Sequence, residues 1–423
     1  MGEITYKKHT RLTSFFVGLL FLLIFIFPQS FSVIKLPILG FIVIVILLNM
    51  LIGRLKIYSF DAIKYYYFIS LLSLAWILIG AVNGNNVTAL YDAFRLYVIY
   101  SILYFFLVIY ITNHDFYKNI LSVILLASTS IAFITFYTII DAVYNLDSIP
   151  LIIRNEMFLG VGFHSGFTEL SNINIGMYSF LIPFIFSYII LQEGRKQYVI
   201  YFVFVLSVVA LILASRRMII LLIVLVPFLC LIFDLFVNAK LNVNFFFKVV
   251  KIYMFMFIVS VVFLMFVVYF DLINLVGFYE RIADIFIYNE SSARQLQFRS
   301  LIDGFYENPI FGSGFGGQAS IIRNSAQPWH YELTYVKLLF NTGIVGMLLL
   351  VCLLSFYTIK SLRLCRIDKK NYSINVSLIV GFFCVLIVSS SNPYMYSFDF
   401  LFILAIPPLI ISMIVRHKLE SFK

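Results

Sequence analysis

The residues with the means to do chemistry gather between Asp271 and Lys337, the one long polar stretch in an otherwise apolar chain. It holds four arginines (Arg281, Arg294, Arg299 and Arg323), a glycine-rich run, NPIFGSGFGG, and the pair His330 and Glu332. Guanidinium groups present forked donors that match phosphate and carboxylate oxygens, a task to which lysine is less suited. His330 or Glu332 is a candidate general base toward a substrate hydroxyl, since both stand just before an apolar span. Trp329, Tyr331 and Tyr335 offer aromatic faces to a sugar ring or a lipid chain, the alternative being an interfacial aromatic belt.

Two other places add cations. Arg216 and Arg217 sit between two apolar spans in ALILASRRMIILL. Adjacent guanidinium groups at a membrane edge are costly unless they meet an anion or water, so the pair reads as a fixed cationic point. The segment Tyr144 to Asn172 carries Arg154, His164 and Glu169 and leads into Asn172, Asn174 and Gly176. Those three open a span poorly unless they face a cavity. Ser292 and Gln295 form a capping box, which predicts a helix from there to a stop before Asn308 and Pro309. Leu296, Phe298, Leu301, Ile302 and Phe305 make a one-sided apolar stripe on it, suited to a membrane surface. Arg294 then falls in the first turn, where free N–H groups and the helix dipole also favour an anion.

Several chemistries are disfavoured. The glycines of NPIFGSGFGG permit close backbone approach to a phosphate, but no Lys-Ser/Thr follows as a nucleotide P-loop requires, and a tight turn is the simpler role. Asp284, Glu290 and Asp303 are scattered, and neither Asp-x-Asp nor His-Glu-x-x-His occurs, so no metal is expected. Cys230, Cys352, Cys365 and Cys384 lack paired spacing, which supports neither a disulfide framework nor a zinc site. No cofactor is expected.

The elements that must position these groups are membrane helices. Of 423 residues, 62% are hydrophobic and 12% charged, with a mean hydropathy of +1.02. Continuous apolar runs of ~18 or more residues recur throughout, which indicates an all-α polytopic membrane protein and excludes a β-barrel. Twelve spans are expected: 12–31, 36–52, 65–82, 96–112, 120–142, 173–191, 198–214, 218–237, 249–270, 338–359, 374–388 and 400–415. The chain thus divides into spans one to nine (1–270), a large loop (271–337), and spans ten to twelve with a tail (338–423). The basic N-terminus precedes a retained first span rather than a cleaved signal.

The net charge of +10 serves topology rather than nucleic acid. With both termini cytoplasmic, 20 of the 30 basic residues lie inside and 10, including the large loop's, outside. Inside, 14 are lysine; outside, 8 are arginine, a bias toward anion recognition, or alternatively toward lipid headgroups.

Ser215-Arg216 opening a span, an arginine-bearing helix ending in NPIFGSGFGG, and His330 ahead of a span carrying TGIVG together resemble the O-antigen ligase and polymerase superfamily of bacterial envelope glycosyltransferases. The resemblance covers roughly Asn172 to Val351. It implies a GT-C-like inverting enzyme of the inner membrane, active on the periplasmic face, with Arg216 and Arg294 stabilising a leaving pyrophosphate and His330 as base. Tyr331 stands where the family commonly has asparagine, and Glu332 falls where the histidine commonly sits, so both bases remain candidates. Arg217, Arg299, Arg323, Arg154, Trp329 and Tyr331 are the further candidate pyrophosphate or sugar contacts, taken from the outer arginine bias and the aromatic faces, with Arg217 standing where the family more often has a small residue. The implied partners are the lipid bilayer, an undecaprenyl-pyrophosphate-linked oligosaccharide donor and acceptor, and a chain-length regulator protein. A repeat-unit polymerase is expected; the alternative is a ligase acting on lipid A-core. A flippase or transporter, the alternative of another class, fits less well because the spans are almost free of charge at their centres.

Overall fold

In a bilayer every backbone N–H and C=O must find a partner within its own segment, so long runs of Leu, Ile, Val and Phe become helices. The computed structural model describes the chain apart from residues 1, 115–116, 165–166, 171, 193–197, 215, 239–242, 270–292, 324 and 422–423. The first half comprises α1 (Gly2–Ile26), α2 (Ser32–Leu51), α3 (Phe60–Val82), and α4 (Val87–Phe94), which passes through a wide turn at Arg95–Ile99 into α5 (Tyr100–Asn113). Next come α6 (Tyr117–Val143), the short α7 (Leu151–Glu156), a hairpin of β1 (Val161–His164) and β2 (Phe167–Leu170), and α8 (Tyr178–Leu191). The second half holds α9 (Tyr198–Leu213), α10 (Arg217–Asn238), α11 (Val243–Tyr269), α12 (Ala293–Glu307), α13 (Thr334–Cys365), α14 (Tyr372–Val388), α15 (Phe398–Leu401) and α16 (Ile406–Glu420).

The protein is an all-α polytopic membrane protein. Among the described residues nine helices are long and apolar enough to cross a bilayer, and Leu12–Ile26 and Tyr198–Leu213 are shorter apolar helices. The bundle is built round α8, every residue of which is buried. It lies against α14, where Gly381 leaves room for the Phe180 ring; a Cβ there would stand 2.7 Å from it.

Polar contacts collect at the two ends of the bundle. At one end, Lys35 donates to Asp399 Oδ1 at 2.9 Å and to the Phe27 carbonyl, while the Gln29 amide takes Asp399 Oδ2. This buried ion pair has its remaining valences met by backbone, the condition under which such a pair is tolerated. At the other end, Arg366 Nε donates to the Val237 carbonyl at 2.7 Å, and Tyr372 donates to Asp234 at 2.5 Å.

The candidate chemistry hangs on a break in α13. Gly343 takes φ 62° and ψ −172°, a conformation open to glycine and little else. The break frees backbone groups that a continuous helix would pair internally, and the glycine-rich run fills it. Ser313 and Gly314 amides donate to the Phe340 and Asn341 carbonyls, and Ile344 and Val345 amides donate to the Pro309 and Ile310 carbonyls. On its far side the same run meets the end of α3. Phe315 N donates to Trp76 O, Trp76 Nε1 donates to Phe311 O, and Asn85 Nδ2 donates to Ser313 O and Phe315 O. Gly314 approaches so closely that a Cβ would lie 2.1 Å from Gly80 N. The run is therefore an inserted wedge; its amides serve protein carbonyls and are not arranged around a phosphate.

The α12 helix ends at Glu307, as the Asn308-Pro309 step predicts. Its protein-facing side is largely polar, Leu301 of the expected stripe apart. Leu296 and Phe298 are exposed, and the inward residues are Gln297, Ser300 and Leu301, with Gly304 against Phe340. The reason is its partner, a loop whose amides need acceptors. Ser300 Oγ accepts from Ile321 N and Gln297 Oε1 accepts from Glu332 N.

A wedge held by glycine geometry makes a direct prediction. Gly343→Ala strains φ and drives a Cβ to 2.3 Å from Ile310 O, so a loss on the order of 1–3 kcal/mol from backbone strain alone is expected. The check is the melting temperature of purified protein; an unchanged value would sink the insertion.

Candidate functional site

With the wedge in place, α12 and the loop before α13 bring together two arginines and Glu332. Arg294 Nε donates to Glu332 Oε2 at 2.6 Å, and Arg323 Nη2 pairs with Glu332 Oε1 at 2.5 Å. The carboxylate is largely shielded while both arginines are about half exposed, at 58% and 45% for their side chains. Each oxygen of Glu332 thus carries a cation. The Nη groups of this exposed Arg294 side chain have no protein acceptor among the described residues.

Tyr331, expected as a stacking platform, is instead wholly buried with Leu301, Ala319 and Phe340. Its hydroxyl accepts the Ala319 amide at 2.8 Å. A side chain locked in this way holds the loop to α12 and offers no face to a ligand. Trp329 is also buried, and its indole N–H has no partner among the described residues.

His330 turns the other way, toward the segment between α14 and α15. Its ring lies 5.6 Å from that of Tyr396 and 6.4 Å from that of Trp329. Burial pushes its pKa down to about 4, the charge of Lys337 adds to this, and Asp92 opposes it. The imidazole is therefore neutral at neutral pH and free to accept a proton.

The Asn392–Tyr396 segment links this cluster to the second cationic point. Asn392 O accepts from Thr334 Oγ1 at the start of α13. Tyr394 stacks on Phe400, fills the space beside Gly176 and feels the charge of Arg216. Arg216 itself donates to the Leu170 carbonyl at 2.9 Å. Arg216 and Arg294 do not touch one another among the described residues; the link runs through Tyr394 and Tyr396.

The remaining expected residues divide. Arg154 is committed to Asp141 and Asp147 at 3.1 and 3.2 Å, at the α6–α7 corner. Arg299 lies on the exposed side of α12. Ser215, Ser292 and Arg281 lie outside the described residues, as do the side chains of Arg217, His164 and Glu169. Asn172 and Asn174 are 1% exposed, with all four amide heteroatoms unpartnered among the described residues.

Four residues of this cluster carry no motif. Lys337 counts in the sequence only as a loop charge, yet it sits inside α13, 7% exposed, its ammonium 3.9 Å from the Tyr396 ring centre. Tyr394 and Tyr396 lie in SNPYMYSFD, where the Asn-Pro step between two spans was the available signal. Asp92, on α4, is the carboxylate whose charge reaches both His330 and Lys337.

Comparison with known proteins fits this geometry. Residues 202–351 match the family model described as O-antigen ligase. The match supports the O-antigen ligase and polymerase superfamily. No curated protein matches the chain. The O-antigen ligase match runs from α9 through the Gly343 break, so it takes in Arg216, Arg294, Arg323, His330, Glu332 and Lys337. It supports O-antigen ligase- or polymerase-type function in general, in a family of glycosyltransferase-like enzymes.

The depressed His330 value has a consequence for stability. An unfolded histidine titrates near 6.5 and the folded one at about 4, so the unfolded chain binds more protons between those values. Stability then rises with pH through this window and is lost as pH falls from 6.5 toward 4. His330→Gln is expected to flatten part of that loss, read as melting temperature between pH 7 and pH 4.5. His114, also lowered to about 4, retains the other part.

Proposed function

We propose that this protein is a repeat-unit polymerase: it transfers an oligosaccharide from an undecaprenyl pyrophosphate carrier to a hydroxyl of a second lipid-linked unit, on the outer face of the cytoplasmic membrane. What supports the reading is Glu332, whose two oxygens hold Arg294 and Arg323, two residues along the chain from a neutral His330 that faces Tyr396, all within the stretch matching O-antigen ligase. With both oxygens occupied, Glu332 serves as the anchor of the arginines, and His330 serves as the base.

The step balances as follows. The acceptor hydroxyl oxygen attacks the anomeric carbon and its proton passes to a ring nitrogen of His330. The bond from that carbon to the pyrophosphate oxygen breaks, and the electron pair leaves on the pyrophosphate. Negative charge develops there as no proton arrives, and the open Nη groups of Arg294, with Arg216, meet it as preorganised electrostatic stabilisation. The anomeric centre inverts. Metal is not required, because guanidinium groups supply the positive charge.

The test is lengthening of a defined undecaprenyl-pyrophosphate-linked oligosaccharide by the purified protein in vesicles. Arg294→Ala and Arg216→Ala are each expected to lower the rate by roughly 10²–10³, or about 3–4 kcal/mol in the barrier. His330→Ala is expected to abolish base-dependent turnover, with the wild-type rate showing no ionisation near pH 6.5. Gene deletion separates the two acceptors. Single repeat units left on lipid A-core mean polymerase, whereas polymer stranded on the carrier means ligase. Arginine variants that keep polymer formation intact while lipid-linked units fail to reach the outer face would replace transfer with transport.

A further inference from the structure

Near Arg216 the protein buries polar side chains that nothing among the described residues answers. Asn172 and Asn174 lead into α8 through the turn Ile173–Met177, and both are 1% exposed. An asparagine ahead of such a turn ordinarily accepts one of its backbone amides, yet the Asn172 side chain makes no such bond. Ser389, just past α14, is wholly buried, and its hydroxyl is also unpartnered among the described residues.

These three side chains share one end of the bundle because α8 and α14 run antiparallel. At the opposite end Ser373 Oγ donates to Leu191 O at 3.2 Å. Midway, Gly381 lies against Phe180, and at the near end the Tyr394 ring packs on Gly176. Ser389 lies as many residues beyond Gly381 as Asn172 lies before Phe180, which brings the hydroxyl level with the amides. Arg216 brackets the same end. It donates to Leu170 O, just before Asn172 in the chain, and its charge reaches Tyr394.

A donor or acceptor left unmatched inside a protein is costly, and five such atoms stand at this end: Nδ2 and Oδ1 of each asparagine and Ser389 Oγ. Their pattern restricts what could satisfy them. Each carboxamide sets an N–H donor beside a carbonyl acceptor. A phosphate accepts without donating and would leave the Oδ1 atoms unmet. A cation would leave the Nδ2 groups unmet, and a hydrocarbon would meet neither. Two neighbouring hydroxyls on a sugar ring both donate and accept, side by side as the carboxamide does.

We infer that Asn172 and Asn174, with Ser389, are specificity-determining residues for the sugar bonded directly to the pyrophosphate, and that they select one with adjacent free hydroxyls. The inference rests on the proposed function, in which Arg216 meets the pyrophosphate; a sugar one bond from that group falls beside the amides. The amides are closed off in the ligand-free protein, and Tyr394, on Gly176, is the side chain that moves to admit the sugar.

The experiment compares the full chain with Asn172→Leu, Asn174→Leu and the corresponding alanine variants. One readout is the melting temperature of the ligand-free protein. The other is the rate, in vesicles, of lengthening an undecaprenyl-pyrophosphate-linked oligosaccharide whose first sugar is intact or lacks one ring hydroxyl in turn. The leucine variants are expected to melt at or above the wild-type temperature, because they remove unmatched polar atoms. Every variant should lengthen the intact substrate about tenfold more slowly, the loss of one hydrogen bond. Wild type should disfavour a deoxy substrate by about the same factor, and the variants should lose that discrimination. Melting temperatures that fall in leucine and alanine variants alike make the amides structural and overturn the subsite. Variants that keep the wild-type rate reduce the amides to water ligands and overturn it as well, as does discrimination that survives in every variant. A soluble oligosaccharide pyrophosphate separates the two ideas through the rise in melting temperature it causes. A rise in wild type but in no variant, with no polymer from any protein, overturns the polymerase reading alone. Polymer at equal rates from all of them overturns the subsite alone, and neither polymer nor a rise in wild type overturns both.

Discussion

The break at Gly343 is the constraint on which the rest of the structure depends. Within a membrane, freed backbone groups cannot fall back on water, so a broken helix survives only where something else pairs them. Here the partner is the run from Pro309 to Gly314, which meets carbonyls of Phe340 and Asn341 and amides of Ile344 and Val345. That insertion fixes where α12 ends and where the loop before α13 begins. From there the positions of Arg294, Arg323, His330 and Glu332 follow. The ion pairs on Glu332 are partly exposed and contribute little to stability as such; their value lies in aiming two guanidinium groups at one place.

Much of the architecture was legible in the sequence because apolar length and helix formation are tied together in a bilayer. A helix stands at each of the twelve runs expected to span, and the Asn308-Pro309 stop ends α12 as written. The glycine-rich run was legible as special but not as to its purpose. Its glycines answer Gly80 and Gly343, which lie in other elements, and no local pattern records a close approach between distant segments. The protein-facing side of α12 was illegible for a related reason. Apolar periodicity reports the burying face only when the covering partner is apolar, and here the partner is a loop that needs Gln297 and Ser300.

The site was half legible. Arginine bias and the His330-x-Glu332 pair pointed to the stretch in which Arg294, Arg323 and Glu332 meet, because charged groups in so apolar a chain are few enough to stand out. What the sequence left open was the division of labour. Either the carboxylate or the imidazole had the chemistry of a base, and what favours His330 under the proposed function is that Arg294 and Arg323 occupy both oxygens of Glu332. Tyr331 looked like a ligand platform by type and proves to be a fastener of the loop, since its hydroxyl finds Ala319 N.

Tyr396 explains how a site this rich in cations holds together. Its ring takes Lys337 on one side and lies near His330, so a neutral aromatic face stands where a carboxylate would otherwise be needed. A protonated His330 beside Lys337 would put two positive charges round one ring, and burial together with that repulsion keeps the imidazole neutral. The same repulsion disfavours the imidazolium, so under the proposed function a proton taken up by His330 has to pass on quickly.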